Sequence, residues 1–400
     1  MENNKTPSIR FKGFTDPWEQ RKVFEIADRF DNLRVPVAAN LRIPGNTPYY
    51  GANGIQDYVE GYTHDGEYIL VAEDGASDLK NYPVNYVNGR IWVNNHAHVL
   101  QGKEKIANNK FLSYAMRLAD IESVLVGGGR AKLNADIMMN LDIAIPSFNE
   151  QEQIGAYFSN LDNLITLHQR KYNKLLNVKK SMLEKMFPKN GSNIPEIRFK
   201  GFTDPWEQRK FGDLADYKKG PFGSAITKDT FVPKSEESIK VYEQQNAINK
   251  DWELERYFLP KEYALTKLKS FEVHGGDIIV SCAGTIGKIY EIPKNADTGV
   301  INQALMRVRV DEDCVDKRMF KIAFSTMIDD FTRAHSNGSA IKNIPPFSDL
   351  KPMGVLLPSL QEQEKISSYF ENLDNLITLH QRELEKLQNI KKSMLEKMFV

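Results

Sequence analysis

An internal repeat is the feature that most constrains this chain. Three stretches occur twice: IRFKGFTDPWEQRK at residues 9–22 and 197–210, LDNLITLHQR at 161–170 and 373–382, and KKSMLEKMF at 179–187 and 391–399. The order is therefore a lead-in, a variable block and an arm, followed by all three again. This order predicts two units built on one frame.

The two variable blocks, roughly residues 20–148 and 210–360, show little similarity to each other although their flanks are nearly identical. A constant frame with two different inserts suits a protein whose single scaffold presents two distinct specificities. Short β-prone runs between turn residues such as Asn53-Gly54 and Asp65-Gly66 indicate mostly antiparallel sheets in the first block. The predicted fold class is α+β.

Each arm is predicted to form one long helix. The arms follow Pro146 and Pro358, whose rings end a strand and allow a helix to start just beyond them. Apolar residues then recur at steps of three and four, which favours an antiparallel coiled coil between the arms over two helices that each pack on their own domain. The expected helix-pair interface consists of Ile154, Phe158, Leu161, Ile165, His168, Leu175, Met182, Ile366, Phe370, Leu373, Ile377, His380, Leu387 and Met394.

His168 and His380 fall at the same register of the two arms. One interpretation is a buried titrating or metal-binding pair, and the other is a polar layer that fixes the register, as Asn does in coiled coils. We favour the polar layer because no cluster of carboxylates or cysteines nearby completes a ligand set, and we predict no metal site.

The length of the predicted helices suggests a ruler. At about 1.5 Å per residue, a helix of roughly 35 residues is about 50 Å long. If a pseudo-two-fold axis relates the repeats, the two variable domains lie at opposite ends of this helix pair. One turn of B-DNA is roughly 34 to 36 Å, so domains held that far apart can reach separated half-sites on one duplex.

Composition bounds the remaining possibilities. The chain has 400 residues, which suits two or more domains, and Lys plus Arg equal Asp plus Glu at 53 each, so any nucleic-acid site must be a local basic surface. Its polar N-terminal segment lacks the apolar core of a signal peptide, and no apolar run is long enough to span a bilayer, so we expect a cytoplasmic location. Two cysteines are too few for a disulfide framework or a Cys-based zinc site.

Several stretches imitate catalytic motifs. The run Gly284–Lys288 hints at a phosphate loop of a nucleotide-dependent enzyme, but Cys282 replaces the first glycine and Ile289 the Ser or Thr that holds magnesium, so we predict a strand, a turn and a strand. Another stretch, Asn343-Ile344-Pro345-Pro346-Phe347, resembles the loop of DNA amino-methyltransferases with the wrong spacing. We also interpret Glu73, Asp74, His96 and His98 as hydrogen-bonded residues of a sheet rather than a metal site. No catalytic residues are predicted.

The remaining polar residues suit contact with a nucleic acid. Two glycine-rich stretches with lysine, Gly127–Lys132 and Asn337–Lys342, lie shortly before the arms, and glycine lets backbone N–H groups approach a phosphate. Basic side chains can contact phosphates, while tyrosine, serine and asparagine can position or read bases. The predicted DNA contacts are Tyr49, Tyr50, Asn53, Arg130, Lys132, Lys218, Lys219, Ser224, Asn337, Lys342 and Asn343.

The whole chain resembles the specificity subunits of type I restriction-modification systems. The resemblance rests on the repeated lead-ins, on PYYGANGI and WVNNHAHVL in the first block, on GPFGSAI, AGTIGK and GVINQAL in the second, and on the Pro-Ser-x-x-Glu-Gln openings of the arms. It implies two target recognition domains that each read half of a split DNA site. The predicted domains are residues 1–148 and 189–360 for recognition, and 149–188 and 361–400 for the helical arms.

The resemblance also implies partners. The arms would bind two modification subunits, which methylate adenine at N6, and the complex would recruit restriction subunits that cleave DNA. The specificity subunit itself would carry no cofactor and no active site, while its partners would use S-adenosylmethionine, ATP and Mg. The LDNLITLHQR segment would then occur twice because one kind of partner is held twice. A different hypothesis is a coiled-coil scaffold that holds two protein-binding domains and binds no DNA.

Overall fold

The protein is represented by a computed structural model, which describes residues 6–127, 131–189, 191–335 and 343–399. Its contacts divide the chain into two compact units. Unit 1 consists of Met1–Asn173 with Thr378–Val400, and unit 2 consists of Lys174–Ile377. Each unit thus contains one lead-in, one variable block, the first part of one arm and the last part of the other.

Unit 1 is built on a sheet of six strands in the order β2-β7-β5-β6-β3-β4 and a two-stranded ribbon of β1 and β8. Its strands are β1 (Glu19–Lys22), β2 (Ala27–Arg29), β3 (Pro44–Gly51), β4 (Gly54–Val59), β5 (His64–Ala72), β6 (Val84–Val93), β7 (Ala97–Gly102) and β8 (Asp142–Ile145). Its helices are α1 (Val23–Ile26), α2 (Asn109–Leu118), α3 (Ala135–Met139) and the first part of α4 (Phe148–Lys185).

The central strand β5 is buried on both faces because its run YILVA is apolar throughout. Alternate residues of a strand point to opposite faces. Ile69 and Val71 accordingly join the main core with Phe111 of α2, while Tyr68 and Leu70 join a second cluster on the other face.

Unit 2 contains two four-stranded sheets, β10-β17-β14-β15 and β12-β11-β16-β13, and a ribbon of β9 and β18. Its strands are β9 (Glu207–Lys210), β10 (Ala215–Lys219), β11 (Ser238–Tyr242), β12 (Phe258–Pro260), β13 (Glu272–Val273), β14 (Ile278–Ser281), β15 (Ile289–Glu291), β16 (Gly299–Ile301), β17 (Leu305–Val310) and β18 (Gly354–Leu357). Its helices are α5 (Phe211–Leu214), α6 (Gln244–Asn249), α7 (Lys261–Lys267), α8 (Lys317–His335), α9 (Phe347–Leu350) and the first part of α10 (Leu360–Met398).

The repeated lead-ins form equivalent contacts in both units. In unit 1, β1 pairs antiparallel with β8, the strand that precedes the first arm. In unit 2, β9 pairs in the same way with β18, which precedes the second arm. A bidentate pair also fastens each lead-in to its arm: Arg10 to Glu150 in unit 1 and Arg198 to Glu362 in unit 2. The predicted internal repeat is therefore confirmed at the level of individual contacts.

Both arms are long helices, as predicted. Helix α4 has 38 residues and α10 has 39, and each begins two residues after the expected proline. The prolines are fixed by the arms themselves, because the side-chain amide of Gln151 donates to the carbonyl of Pro146 and that of Gln363 donates to the carbonyl of Pro358. None of the helices in the four described ranges is both long enough and apolar enough to cross a membrane.

The arms pair antiparallel within each unit. In unit 1 the ring of Phe158, near the start of α4, packs against Phe399 just beyond the end of α10, and further along α4 His168 meets His380. The predicted residues Ile154, Phe158 and Leu161 share the core of unit 1 with Leu387 and Met394. This confirms the coiled-coil arrangement.

In unit 2 the same pairing is repeated with the arms exchanged. Leu175 and Met182 of α4 pack on the core that contains Ile366, Phe370 and Leu373 of α10. Ion pairs repeat as well, with Lys391 to Asp162 in unit 1 and Lys179 to Asp374 in unit 2. Of the remaining predicted interface residues, Ile377 is buried and Ile165 is partly buried.

Candidate nucleic-acid interface

The loops of unit 2 gather at one edge of a sheet. Strands β10 and β14 end there, and β15 and β17 begin there, because each neighbouring pair in the order β10-β17-β14-β15 is antiparallel. We call residues 219–225, 282–288, 302–304 and 343 the loop edge of unit 2. Asn343 belongs to it because it forms a bridge with Ala283.

The loop edge brings together several predicted DNA contacts. Lys219 and Ser224 are exposed there, and so is Asn343. Lys218 is the neighbour of Lys219 in β10, but it is partly buried, and its ammonium group lies 4.9 Å from the ring centre of Phe271. The predicted contacts Asn337 and Lys342 lie outside the described residues, which resume at Asn343.

The turn Gly284–Lys288 is part of this edge and joins β14 to β15 as a hairpin, as predicted. Gly284 and Gly287 have φ values of 66° and 75°, a region that glycine adopts readily. The backbone N–H groups of Gly287 and Lys288 donate to the carbonyl and hydroxyl oxygens of Ser281, each at 2.8 Å. These N–H groups are therefore occupied and do not form a phosphate cradle.

Unit 1 has a comparable edge, formed where β5 ends. Lys132 is the last residue of the glycine-rich stretch and forms a bridge with Asp74, while its ammonium group lies 2.9 Å from a carboxylate oxygen of Glu73. Asn53 is tied to the loop after β5, since its amide donates to Gly75 and its carbonyl oxygen accepts from the N–H of Ser77. We call residues 50–53, 73–77 and 131–132 the loop edge of unit 1.

Charge at this edge is organised around Glu73. Burial alone would raise the pKa of Glu73, but hydrogen bonds from Arg34 and Lys132 outweigh it and lower the pKa. The hydrogen bond between Lys132 and Glu73 also raises the pKa of Lys132. Lys132 is thus held charged and in place, with about half of its side chain exposed, while Arg130 lies outside the described residues.

One predicted DNA contact is wrong. Tyr49 is 1% exposed, its hydroxyl oxygen accepts from the backbone N–H of Val37 at 2.9 Å, and the guanidinium of Arg42 covers its ring at 4.1 Å. The alternation of side chains along β3 places Tyr49 in the interior and its neighbour Tyr50 on the other face. Tyr50 is partly exposed, and burial, followed by the nearby Tyr58, raises the pKa of its phenol.

The histidines of the first block have protein partners. His98 is 2% exposed, and its two ring nitrogens meet the carboxylate of Asp31 at 2.7 Å and the carbonyl of Leu133 at 2.9 Å. The Nδ1 atom of His96 lies 2.5 Å from Asp74. Within the described ranges, no three His, Cys, Asp or Glu side chains group in a way that could hold a metal ion.

The histidine pair of the arms forms a polar layer in unit 1. The Nδ1 atoms of His168 and His380 lie 3.2 Å apart, so the N–H of one ring donates a hydrogen bond to the other ring, whose Nδ1 atom carries no hydrogen. Burial, followed by the charges of His168 and Lys171, lowers the pKa of His380. This geometry matches a register-fixing layer.

The repeated segment LDNLITLHQR also has a second face that the sequence interpretation did not use. Leu164 and Leu167 of α4 are 44% and 45% exposed, and the residues in the same places of α10, Leu376 and Leu379, are 44% and 52% exposed. Residues three apart lie on one side of a helix. Each arm therefore carries the same exposed pair of leucines, beside the face that packs in the helix pair.

The sequence interpretation also left an exposed aromatic residue of the loop edge of unit 2 unassigned. Phe222 is 90% exposed. Its signal in the sequence is an aromatic residue between Pro221 and Gly223, two residue types that favour turns.

Comparisons with known proteins agree with this arrangement. A model of the type I restriction modification DNA specificity domain matches residues 15–177 and again 203–389. The chain is 31% identical over 406 aligned residues to a predicted type I restriction enzyme specificity subunit of Haemophilus influenzae, covering 94% of each chain. It is 26% identical to the type I restriction enzyme MjaVIII specificity subunit of Methanocaldococcus jannaschii, over 74% of this chain and 70% of that one.

A solved structure has the same fold. The S subunit of a type I restriction-modification system from M. genitalium superposes with a TM-score of 0.68 and 14% sequence identity, and the match covers 99% of both chains. Low identity with full coverage indicates that the fold is kept while the side chains change.

Proposed function

The chain belongs to the type I restriction-modification DNA specificity family, and from this premise we propose that each of its variable blocks recognises one half of a bipartite DNA site. It is a DNA-recognition subunit without catalytic activity of its own. The observation that carries the proposal is the repeated frame: the lead-ins and arms make equivalent contacts in both units, while the blocks they hold differ.

The two loop edges are the proposed DNA-binding surfaces. In unit 1 the proposed contacts are Tyr50, Asn53 and Lys132, and in unit 2 they are Lys218, Lys219, Ser224 and Asn343. In support, each edge contains a residue at the end of a glycine-rich stretch with lysine or directly after it, Lys132 in unit 1 and Asn343 in unit 2. Each of the two forms a bridge to the loop that follows a central strand. Arg130, Asn337 and Lys342 belong to these stretches and remain in the proposal. The proposed recognition domains keep the boundaries 1–148 and 189–360.

The arms are the proposed docking sites of two modification subunits. The exposed pairs Leu164 with Leu167 and Leu376 with Leu379 support this, because two equivalent partners need two equivalent surfaces. Leucine side chains that remain nearly half exposed beside a packed helix interface are suited to burial against another protein. With its partners, the complex would methylate adenine at N6 or cleave DNA, and the partners would supply the sites for S-adenosylmethionine, ATP and Mg. A restriction subunit and a cytoplasmic location are further parts of this proposal.

The test is single-molecule sequencing of DNA from cells that express this chain with its neighbouring methyltransferase subunit. The control is cells that express the methyltransferase alone. We expect a new split motif with N6-methyladenine in each half, which would give the target and the spacer directly. No new modification from a purified, folded complex would leave a coiled-coil scaffold that binds two proteins as the better explanation.

A further inference from the structure

Phe222 is the most exposed large apolar side chain in the parts of the chain that the structure describes, at 90%, with Leu41 next at 69%. A phenyl ring in water forgoes the stabilisation that burial would give it. Nothing in the local fold requires the ring, because its neighbours hold the loop without it.

The loop under Phe222 is anchored by backbone contacts. The N–H of Gly220 donates to the carbonyl of Leu305 at 2.8 Å, and a Cβ atom on Gly220 would lie 1.8 Å from the carbonyl oxygen of Asn302, so only glycine fits this approach. Pro221 is buried. On the other side, the N–H of Ala225 donates to the carbonyl of Phe222 at 2.9 Å.

A second anchor holds the far end of the loop. The hydroxyl of Tyr263 donates to the carbonyl of Ala225 at 2.9 Å, and the next residue, Ile226, is 7% exposed and lies in a hydrophobic cluster. The backbone that carries Phe222 is thus fixed on both sides. A backbone held by such contacts has less conformational freedom to lose when the ring enters a binding partner.

The surroundings of the ring suit a polyanion. Lys219 precedes it and Ser224 follows it, and Lys288 ends the adjacent hairpin turn. The segments 219–225, 282–288 and 302–304 contain no Asp or Glu. Gly223 has open space around it, so the backbone beside Phe222 can approach a ligand closely.

We propose that Phe222 is a wedge that inserts at a base step of the half-site bound by unit 2. An apolar side chain placed between bases unstacks them, and the bend that follows brings more of the protein into contact with the duplex. Basic and hydroxyl side chains beside the wedge would hold the neighbouring phosphates. The inference rests on the proposed DNA-binding function and adds to it a specific mode of contact, in which part of the recognition depends on how easily one step deforms.

The experiment uses the complete methyltransferase complex and a duplex that carries the motif found by sequencing. A 2-aminopurine replaces in turn each adenine, on either strand, within and next to the half-site bound by unit 2, other than the methylated adenine. Its fluorescence is measured at saturating protein. The variants are Phe222→Ala and Phe222→Trp, and the matched control is Leu265→Ala, another exposed apolar residue of unit 2 at 41%.

We expect wild-type protein and Phe222→Trp to raise the fluorescence at one base step, and Phe222→Ala to abolish that rise. Phe222→Ala should also bind about tenfold more weakly, a loss of about 1.4 kcal/mol, while Leu265→Ala should behave as wild type. If Phe222→Ala binds and unstacks the duplex as wild type does, the wedge is wrong although DNA recognition stands.

Two other outcomes would also overturn the wedge proposal, and each differs from the outcome above. Loss of complex assembly by Phe222→Ala in the absence of DNA would assign the ring to a protein partner. Failure of the wild-type complex to bind any split motif would remove the DNA function itself, together with the wedge that rests on it.

Discussion

The ion pair of Arg10 and Glu150 gives a prediction for which the second copy of the repeat provides the control. The guanidinium donates to both carboxylate oxygens of Glu150 at 2.9 and 2.7 Å, and the two side chains are only 10% and 1% exposed. Removing one partner of such a buried pair leaves an uncompensated charge and typically costs about 3–5 kcal/mol. Glu150→Ala should therefore loosen the first lead-in from its arm.

The appropriate assay is hydrogen exchange followed by mass spectrometry, read at the peptides that contain residues 9–22 and 197–210. The backbone N–H of Ile9 donates a hydrogen bond to the carbonyl of Lys397 at 3.0 Å, and that of Ile197 donates to the carbonyl of Lys185 at 2.9 Å. A cost of about 3–5 kcal/mol in local opening corresponds to exchange roughly 10²–10⁴ times faster, at about 1.4 kcal/mol per factor of ten. Glu150→Ala should accelerate the first peptide and leave the second unchanged.

The second copy provides the matched control. Glu362 holds Arg198 at 2.7 Å through both oxygens, so Glu362→Ala should accelerate only the peptide 197–210. The double change Arg10→Met with Glu150→Leu should restore much of the protection, since a packed apolar pair can replace a buried ion pair. Unchanged exchange in Glu150→Ala, or equal acceleration of both peptides, would refute the reasoning.

Three further predictions concern the arms and the loop edge. Because burial and His168 lower the pKa of His380 in the folded protein, the unfolded chain binds a proton there more readily. The stability should therefore fall as the pH drops below about 6.5, and His380→Asn should flatten the dependence of Tm on pH between about pH 5 and 8. Leu164→Glu with Leu167→Glu should leave the fold intact, since both are about half exposed, and should weaken methyltransferase association in sedimentation analysis; undiminished association would exclude this surface. Lys219→Ala should weaken binding of all DNA sequences alike and reduce the slope of log K against log salt by about one in a salt titration.

Much of the architecture followed from sequence pattern alone. Apolar residues at steps of three and four, each series beginning after Pro146 or Pro358, were enough to predict two helices of this length, because a helix stripe depends only on local spacing. The duplicated segments likewise predicted equivalent contacts. The hairpin at Gly284–Lys288 could also be predicted, because two residues that a phosphate loop needs are replaced there by Cys282 and Ile289.

The candidate site was less accessible from sequence. Tyr49 and Tyr50 are neighbours with the same side chain, yet only the register of β3 with β6 decides which one is buried. Phe222 could be seen in the sequence as an aromatic among turn residues, but only the folded loop, with Gly220 against Asn302, shows that its ring is 90% exposed.

The sequence by itself therefore determined the repeat, the two long helices and the absence of a recognisable catalytic motif, since these depend on residue type and spacing. The tertiary structure alone decided which residues share a surface. The bridge between Asp74 and Lys132, and that between Ala283 and Asn343, join segments about 60 residues apart in the chain. Pairing over such distances is set by how strands and loops pack together, and no local pattern encodes it.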